Sequence, residues 1–271
     1  MSHESSAFPI QTLWHKLQIP DLSASPQAWE DSVFADVIPQ VRRVGVENSD
    51  IIVPDPKAVR SMSRASLFLS SWAEEMKSVL MPFLEKSPFS VGIYCAVENG
   101  PIDGPSTAEI LKRNTSGEFD FVFAEAYRKL RNPKMYLKQL PNLVPAQLGI
   151  SLGVQGPMNV YTHSIFGAEQ ALNQAYVDLL AGTVEAALVV SAHAFDDFWV
   201  VKRTRKQDAR VICEGAAGLI LSRNSDYAEK NVKNTLNSMK KSSFHDFFYD
   251  AENYFGISDP LVNLIRKREG K

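Results

Sequence analysis

The sequence predicts an α/β fold in layers, helix on sheet on helix. Three observations carry that expectation. Residues 89–97 (FSVGIYCAV) and 186–192 are almost continuously apolar, as strands buried on both faces are. Residues 142–152 and 165–180 instead repeat their apolar side chains at the helical spacing. Across residues 142–193 these pieces follow one another as helix, turn, short strand, long helix, turn and buried strand.

Taken in order, residues 8–17 (FPIQTLWHKL) read as a first strand and 20–26, bounded by prolines, as a loop. Residues 29–41 read as a short helix with Pro39 near its end, and 42–55 as irregular chain punctuated by Pro54 and Pro56. A helix is expected from 60 to about 84, offering Leu67, Leu69, Trp72, Met76 and Leu80 to the core. Cys95, inside the strand at 89–97, reads as a small buried apolar residue. Gly100, Pro101, Gly104 and Pro105 then make a loop, 107–113 a turn or two of helix, and 118–130 a run in which Phe119, Phe121 and Phe123 alternate before a helix-compatible tail. Read on their own, these phenylalanines are packing residues.

In the helix at 142–152 the apolar positions are Leu143, Ala146, Leu148 and Ile150, and Gly153 with Gly156–Pro157 ends the pattern. The run from Met158 to Tyr161 is too short for a helix. From Ile165 the helical period returns through Ala168, Ala171, Leu172, Ala175, Tyr176, Leu179 and Leu180, stopped by Gly182. Glu169, Gln170, Asn173, Gln174 and Asp178 form its polar side, and Thr162 and Ser164 stand where hydroxyls cap free N–H groups.

Composition narrows the function. A chain of 271 residues, 45% hydrophobic and of net charge −2, builds one large or two small soluble domains with a proper core. Near-neutral charge argues against a nucleic-acid partner. Two cysteines, Cys95 and Cys213, make neither a disulfide framework nor a metal site, which fits a reducing cytoplasm. No apolar run approaches a membrane span and residues 1–6 carry no basic leader, so no membrane partner and a cytoplasmic location are expected. Of the histidines, His3 lies in the tail, His15 closes the first strand, His193 reads as a satisfied core residue and His245 as a surface or interface residue. His163 precedes Ser164, but strand neighbours point to opposite faces, so His163 is badly placed as its base.

Several stretches together resemble the β-ketoacyl synthases of the thiolase fold, the condensing enzymes of fatty acid and polyketide synthesis. They are Asn142–Leu143–Val144–Pro145, Gly153, Gly156–Pro157, the strand and long helix up to Gly182, and the strand through Ser191. Glu214–Gly215–Ala216–Ala217–Gly218 and the following Leu219–Ile220–Leu221 resemble the family's EGA-type motif and its strand, and Arg60–Ser61–Met62–Ser63–Arg64 the start of its first long helix. The resemblance covers roughly residues 60–222.

In that family a cysteine at the N-terminus of the long helix accepts the acyl group, its thiol acidified by the helix end. Counting from Gly156–Pro157 forward and from Gly182 back, that position is Ile165, where the commonest inactive relatives carry Gln. Beyond residue 222 neither a His-Gly-Thr-Gly-Thr element nor a Gly-His pair occurs. The resemblance therefore implies essentially the N-terminal half of a ketosynthase with a divergent short C-terminal segment: a ketosynthase-like domain over 1–222 and a helical segment over 223–271 that packs on the domain or on a partner. Half of the family architecture leaves an apolar layer to be covered by that segment or by a partner.

The function this implies is a catalytically inactive chain-length-factor subunit of a type II polyketide synthase. It needs no cofactor and no metal, and its partners are a full-length ketosynthase and an acyl carrier protein. Phe119, Phe121, Phe123, Ile165 and Phe166 are its expected tunnel or gate residues. Met158, Asn159, Val160, Tyr161, Thr162 and His163 are its expected dimer-interface residues, since family dimers pair that strand antiparallel. The alternatives are an active acyltransferase using Ser164 and a stand-alone scaffold or acyl-binding protein.

Overall fold

The computed structural model describes residues 10–28, 40–44, 56–103, 106–107, 109, 124–125, 127–129, 132–162, 165–195, 198–207, 210–223 and 250–270. Phe119, Phe121, Phe123, His163, Ser164 and His245 lie outside these residues.

Among the described residues the strands form two sheets. The larger is built from β1 (Gln11–Gln18), β4 (Val91–Val97), β5 (Met158–Tyr161), β6 (Ala186–His193) and β8 (Gly215–Ser222), in the order β1-β8-β6-β4-β5. β4 runs parallel to both β5 and β6, while β8 is antiparallel to β6 and to β1. The smaller sheet joins β2 (Gln27–Ala28), β3 (Gln40–Arg42), β7 (Val211–Cys213) and β9 (Asn253–Tyr254) in the order β2-β3-β7-β9.

β4, β6 and β8 are buried along their whole length, as their unbroken apolar sequences require. Alternation along each strand divides their side chains between two cores. Val91, Ile93, Cys95, Leu188, Val190 and Ile220 face one layer with α1 (Arg64–Ser70), α2 (Ala73–Leu84) and α4 (Leu143–Leu152). Tyr94, Ala96, Ala187, Val189, Leu219 and Leu221 face the other, with α5 (Gly167–Ala181) and α7 (Asp259–Glu269). The remaining helices are α3 (Pro133–Gln139) and α6 (Phe198–Gln207). Gly153 and Gly182 end α4 and α5 in the left-handed conformation, as their places in the sequence predict.

Glu214 ties these layers together. Its fully buried carboxylate accepts a bidentate pair from Arg64, Nε to Oε1 at 2.7 Å and Nη2 to Oε2 at 2.9 Å. It also accepts the backbone N–H of Val44 at 2.9 Å and of Phe195 at 2.8 Å. The two sequence patches around Arg64 and Glu214, 150 residues apart, are thus the halves of one contact. Gly218 in the second patch lies against Trp14 and Trp72, whose rings meet edge to face, and a Cβ there would stand 2.9 Å from Trp14.

Three expectations need correcting. The helix expected over 60–84 is a 3₁₀ turn at Ala58–Ser61, then α1 capped by Ser63, then α2, with a break at Ser71 and Trp72. Gln40 and Val41, expected in a helix, belong to β3, whose pairing with β7 overrides local preference. The helix expected from Ile165 starts at Gly167, with Phe166 as its N-cap and no cap bond from that side chain.

Replacing Arg64 by Met leaves the Glu214 carboxylate buried without its bidentate partner. Urea denaturation should show a loss of about 3 kcal/mol. Lys86→Met at the exposed Lys86–Glu185 pair should change stability by less than about 1 kcal/mol.

Candidate functional site

The chemistry implied by the sequence is placed at the start of α5, beside the C-terminal ends of β4 and β6. Parallel strands deliver their chain ends to one edge of a sheet, and a long helix starting there directs free N–H groups and the positive end of its dipole toward that edge. Ile165 and Phe166 occupy the turn before the helix and are 43% and 49% exposed. Of the proposed gate residues, these two are at the surface.

Below them the site is closed by the 3₁₀ turn Gly256–Ser258, which leads into α7. A Cβ on Gly167, the first residue of α5, would stand 2.6 Å from Ile257 Cδ1 and Cγ1. A Cβ on Gly256, at φ +53°, would stand 2.5 Å from Nδ1 of His193. Ile257 therefore fills the space beside the helix start, and Gly256 lies on the imidazole with no room for a side chain. Phe255, Leu261, Val262 and Ile265 continue this cover along the sheet face. Residues 255–265 thus cover the face of the larger sheet on which α5 lies.

His193 is fully buried, edge to face with Phe195, its Nε2 3.4 Å from Thr204 Oγ1. Its Nδ1 has no hydrogen-bond partner among the described residues, so it is a core histidine satisfied on one side only. Burial, helped by the positive charge of Arg203, lowers its pKa to about 3. It is therefore the neutral imidazole near pH 7 and does not supply an imidazolium as general acid. The cysteines offer no nucleophile either. Burial pushes the Cys95 thiol far up and Cys213 up to about 12, so neither is a thiolate near neutrality. Among the described residues no group of His, Cys, Asp or Glu is arranged to hold a metal ion, and no helix is long and apolar enough to cross a membrane.

The expected interface strand sits at the open edge of the larger sheet. β5 pairs with β4 from Ile93 opposite Met158 to Ala96 opposite Tyr161, and among the described residues nothing pairs with its other side. Pro157 O accepts from Ile93 N at 2.8 Å, so Asn159 turns its polar backbone groups to β4 while Met158 and Val160 turn theirs outward. Met158 is exposed, and Asn159, Val160, Tyr161 and Thr162 are half-buried. Behind them, the Tyr94 hydroxyl donates to Asp178 at 2.7 Å and Gln174 to Asp178 at 2.9 Å, fixing part of the polar side of α5. Sequence reasoning named Arg64 only as part of a helix start, not as the partner of Glu214, and passed over Gly256 and Ile257. A lone charge in an amphipathic helix and a Gly-Ile pair far along the chain carry no local signal of the contacts they make.

No family model and no curated protein matches the sequence. Solved structures do match. A type II polyketide synthase acyl-carrier protein in complex with its ketosynthase bound to the hexaketide (AntDE:AntF) superposes with a TM-score of 0.60 at 14% identity, covering 80% of this chain and 64% of that one. A β-ketoacyl synthase from Burkholderia phymatum STM815 gives 0.61 at 13% identity, covering 80% and 60%. The ketosynthase ApeO in complex with its chain length factor ApeC, from Xenorhabdus doucetiae, gives 0.53 at 14%, covering 83% and 60%. The chain shares the thiolase-type α/β fold of these ketosynthase structures. It spans about three fifths of the length of the structures it matches.

His193 makes stability depend on pH in a defined sense. Its folded pKa of about 3 lies below the ordinary 6.5, so between these values the unfolded chain binds the extra proton. Its contribution is fully present above pH 6.5 and is lost as pH falls, at a limiting slope of about 1.4 kcal/mol per pH unit. Denaturation of wild type and His193→Gln at pH 7.5, 6, 5 and 4.5 should show the wild type losing stability faster toward acid. Parallel pH profiles would contradict the assignment.

Proposed function

We propose that this chain is a non-catalytic ketosynthase-like subunit of a type II polyketide synthase, of the chain-length-factor kind. It pairs with a full-length ketosynthase and works with an acyl carrier protein. The observation that carries this reading is Ile165: the start of α5, where the resembled family holds its acyl-accepting cysteine, bears an exposed isoleucine. The buried thiols of Cys95 and Cys213 and the neutral His193 support it, because none of them replaces the missing nucleophile or its acid–base partner. Two of the matched structures, described as ketosynthase complexes with a chain length factor and with an acyl-carrier protein, suggest the partners.

Pairing through β5 follows from its open edge, where the backbone groups of Met158 and Val160 are free to extend the sheet into a second chain. Exposed Ile165 and Phe166 stand just beyond that edge, in place to line an acyl path at the junction. The partner then performs decarboxylative condensation of malonyl units, and this chain shapes the space in which the product grows. An aromatic polyketide or an aryl polyene would fit such a role.

Co-expression with a complete ketosynthase from the same source, followed by size-exclusion chromatography, tests the pairing. Wild type should co-elute with the ketosynthase. Val160→Pro removes an outward N–H and keeps an apolar side chain against the core, so it should leave the fold intact and abolish co-elution. A wild-type chain that elutes apart from the ketosynthase would sink the reading.

A further inference from the structure

We propose that residues 250–269 form a hinged cover that lifts as one unit from the face of the larger sheet and uncovers the start of α5. This inference does not rest on the pairing with a ketosynthase; it concerns how the chain closes its own site.

The cover is one contiguous piece of sequence, comprising β9, the turn Gly256–Ser258 and α7. Its strand pairing with the rest of the fold is slight: β9 contributes two paired residues to β7, against eight between β6 and β8. Among the described residues, its polar ties to the rest of the fold include the Val211 N–H donating to the Glu252 carbonyl at 2.8 Å, His15 standing 3.7 Å from the Glu269 carboxylate, and contacts at two arginines. Arg210 donates to the carbonyls of Asp250 at 2.6 Å and Asn253 at 3.3 Å, lies 4.7 Å from the Tyr254 ring centroid and stands 3.8 Å from the Asp259 carboxylate. Arg42 donates to Asn253 Oδ1 at 3.1 Å. Inside the cover, Arg266 and Asp250 pair at 2.6 Å, and Asp250 also accepts the N–H groups of Glu252 and Asn253. Those bonds travel with the segment and do not oppose its lifting.

The closed state also carries a polar cost at the covered surface. Ser191 Oγ and His193 Nδ1 on β6, two residues apart and so on one face, and Ser258 Oγ on the cover are all buried without a hydrogen-bond partner among the described residues. Each recovers hydrogen bonding when water reaches it. Apolar contacts of Phe255, Ile257, Leu261, Val262 and Ile265 oppose that gain. A contiguous segment joined by two-residue strand pairing, a few polar ties and apolar contact can open as a unit below the free energy of global unfolding.

The two cysteines report on this opening separately. Cys213 lies in the core under the cover, its Sγ 3.5 Å from Asn253 Oδ1. Cys95 points into the opposite core, among α1, α2 and α4. The full chain is exposed to a thiol reagent under native conditions, and each cysteine is followed by peptide mass spectrometry. Cys213 should react at least tenfold faster than Cys95. Arg210→Gln should speed Cys213 at least a further tenfold and leave Cys95 unchanged. Ile257→Ala, which trims the plug without touching the clamp, should act in the same direction and stands in if Arg210→Gln does not fold. A common rate for both cysteines, no reaction of either before global unfolding, or a Cys213 rate indifferent to these substitutions would overturn the proposal.

Discussion

Glu214 is the fixed point of this fold. A carboxylate with no exposure survives in an apolar core only when its lone pairs are used, and here Arg64 and the N–H groups of Val44 and Phe195 use them. Those partners come from the chain after β3, the start of α1 and the chain after β6. The register of β8, the entry of α1 and the end of β6 therefore answer to one side chain. Because β6 ends at His193, the same anchor sets the floor of the region where α5 begins.

That region is dry and filled. An isoleucine stands at its entrance, a second isoleucine fills the space beside Gly167, and a glycine lies on the imidazole of His193. Each is a packing solution, and burial holds His193, Cys95 and Cys213 away from titration near neutral pH. The sheet beside it ends in a short, half-buried strand with an open edge. A fold shared with ketosynthases thus carries, beside the start of α5, a sheet edge that nothing among the described residues pairs with.

Much of this was legible in the sequence where a pattern is local. The fully buried strands at 91–97 and 186–193 announce themselves by unbroken apolar runs, and α4 and α5 by helical spacing with a glycine stop. The break between α1 and α2 was not legible, because Leu67, Leu69, Trp72 and Met76 keep a helical spacing across it and Ser71 stays in a helical conformation. Strand β3 was illegible because its three residues form it by pairing with the two-residue β2 and with β7, some 170 positions on. The apolar residues of 255–265 were visible, but their destination was not: which face they cover is decided by tertiary contact. The residues proposed as interface can be placed at the sheet edge from Met158 to Thr162, and Ile165 and Phe166 at the helix start, whereas Phe119, Phe121, Phe123 and His163 fall outside the described residues.

The most direct test of a non-catalytic role is intact-protein mass spectrometry after incubation with malonyl and longer acyl thioesters, followed by peptide mapping. A subunit with Ile165 at the proposed acyl-accepting position should gain no mass in any of these incubations. A stoichiometric gain of one acyl group, mapped to Ser164 or to either cysteine, would contradict that role and make the chain an acyltransferase.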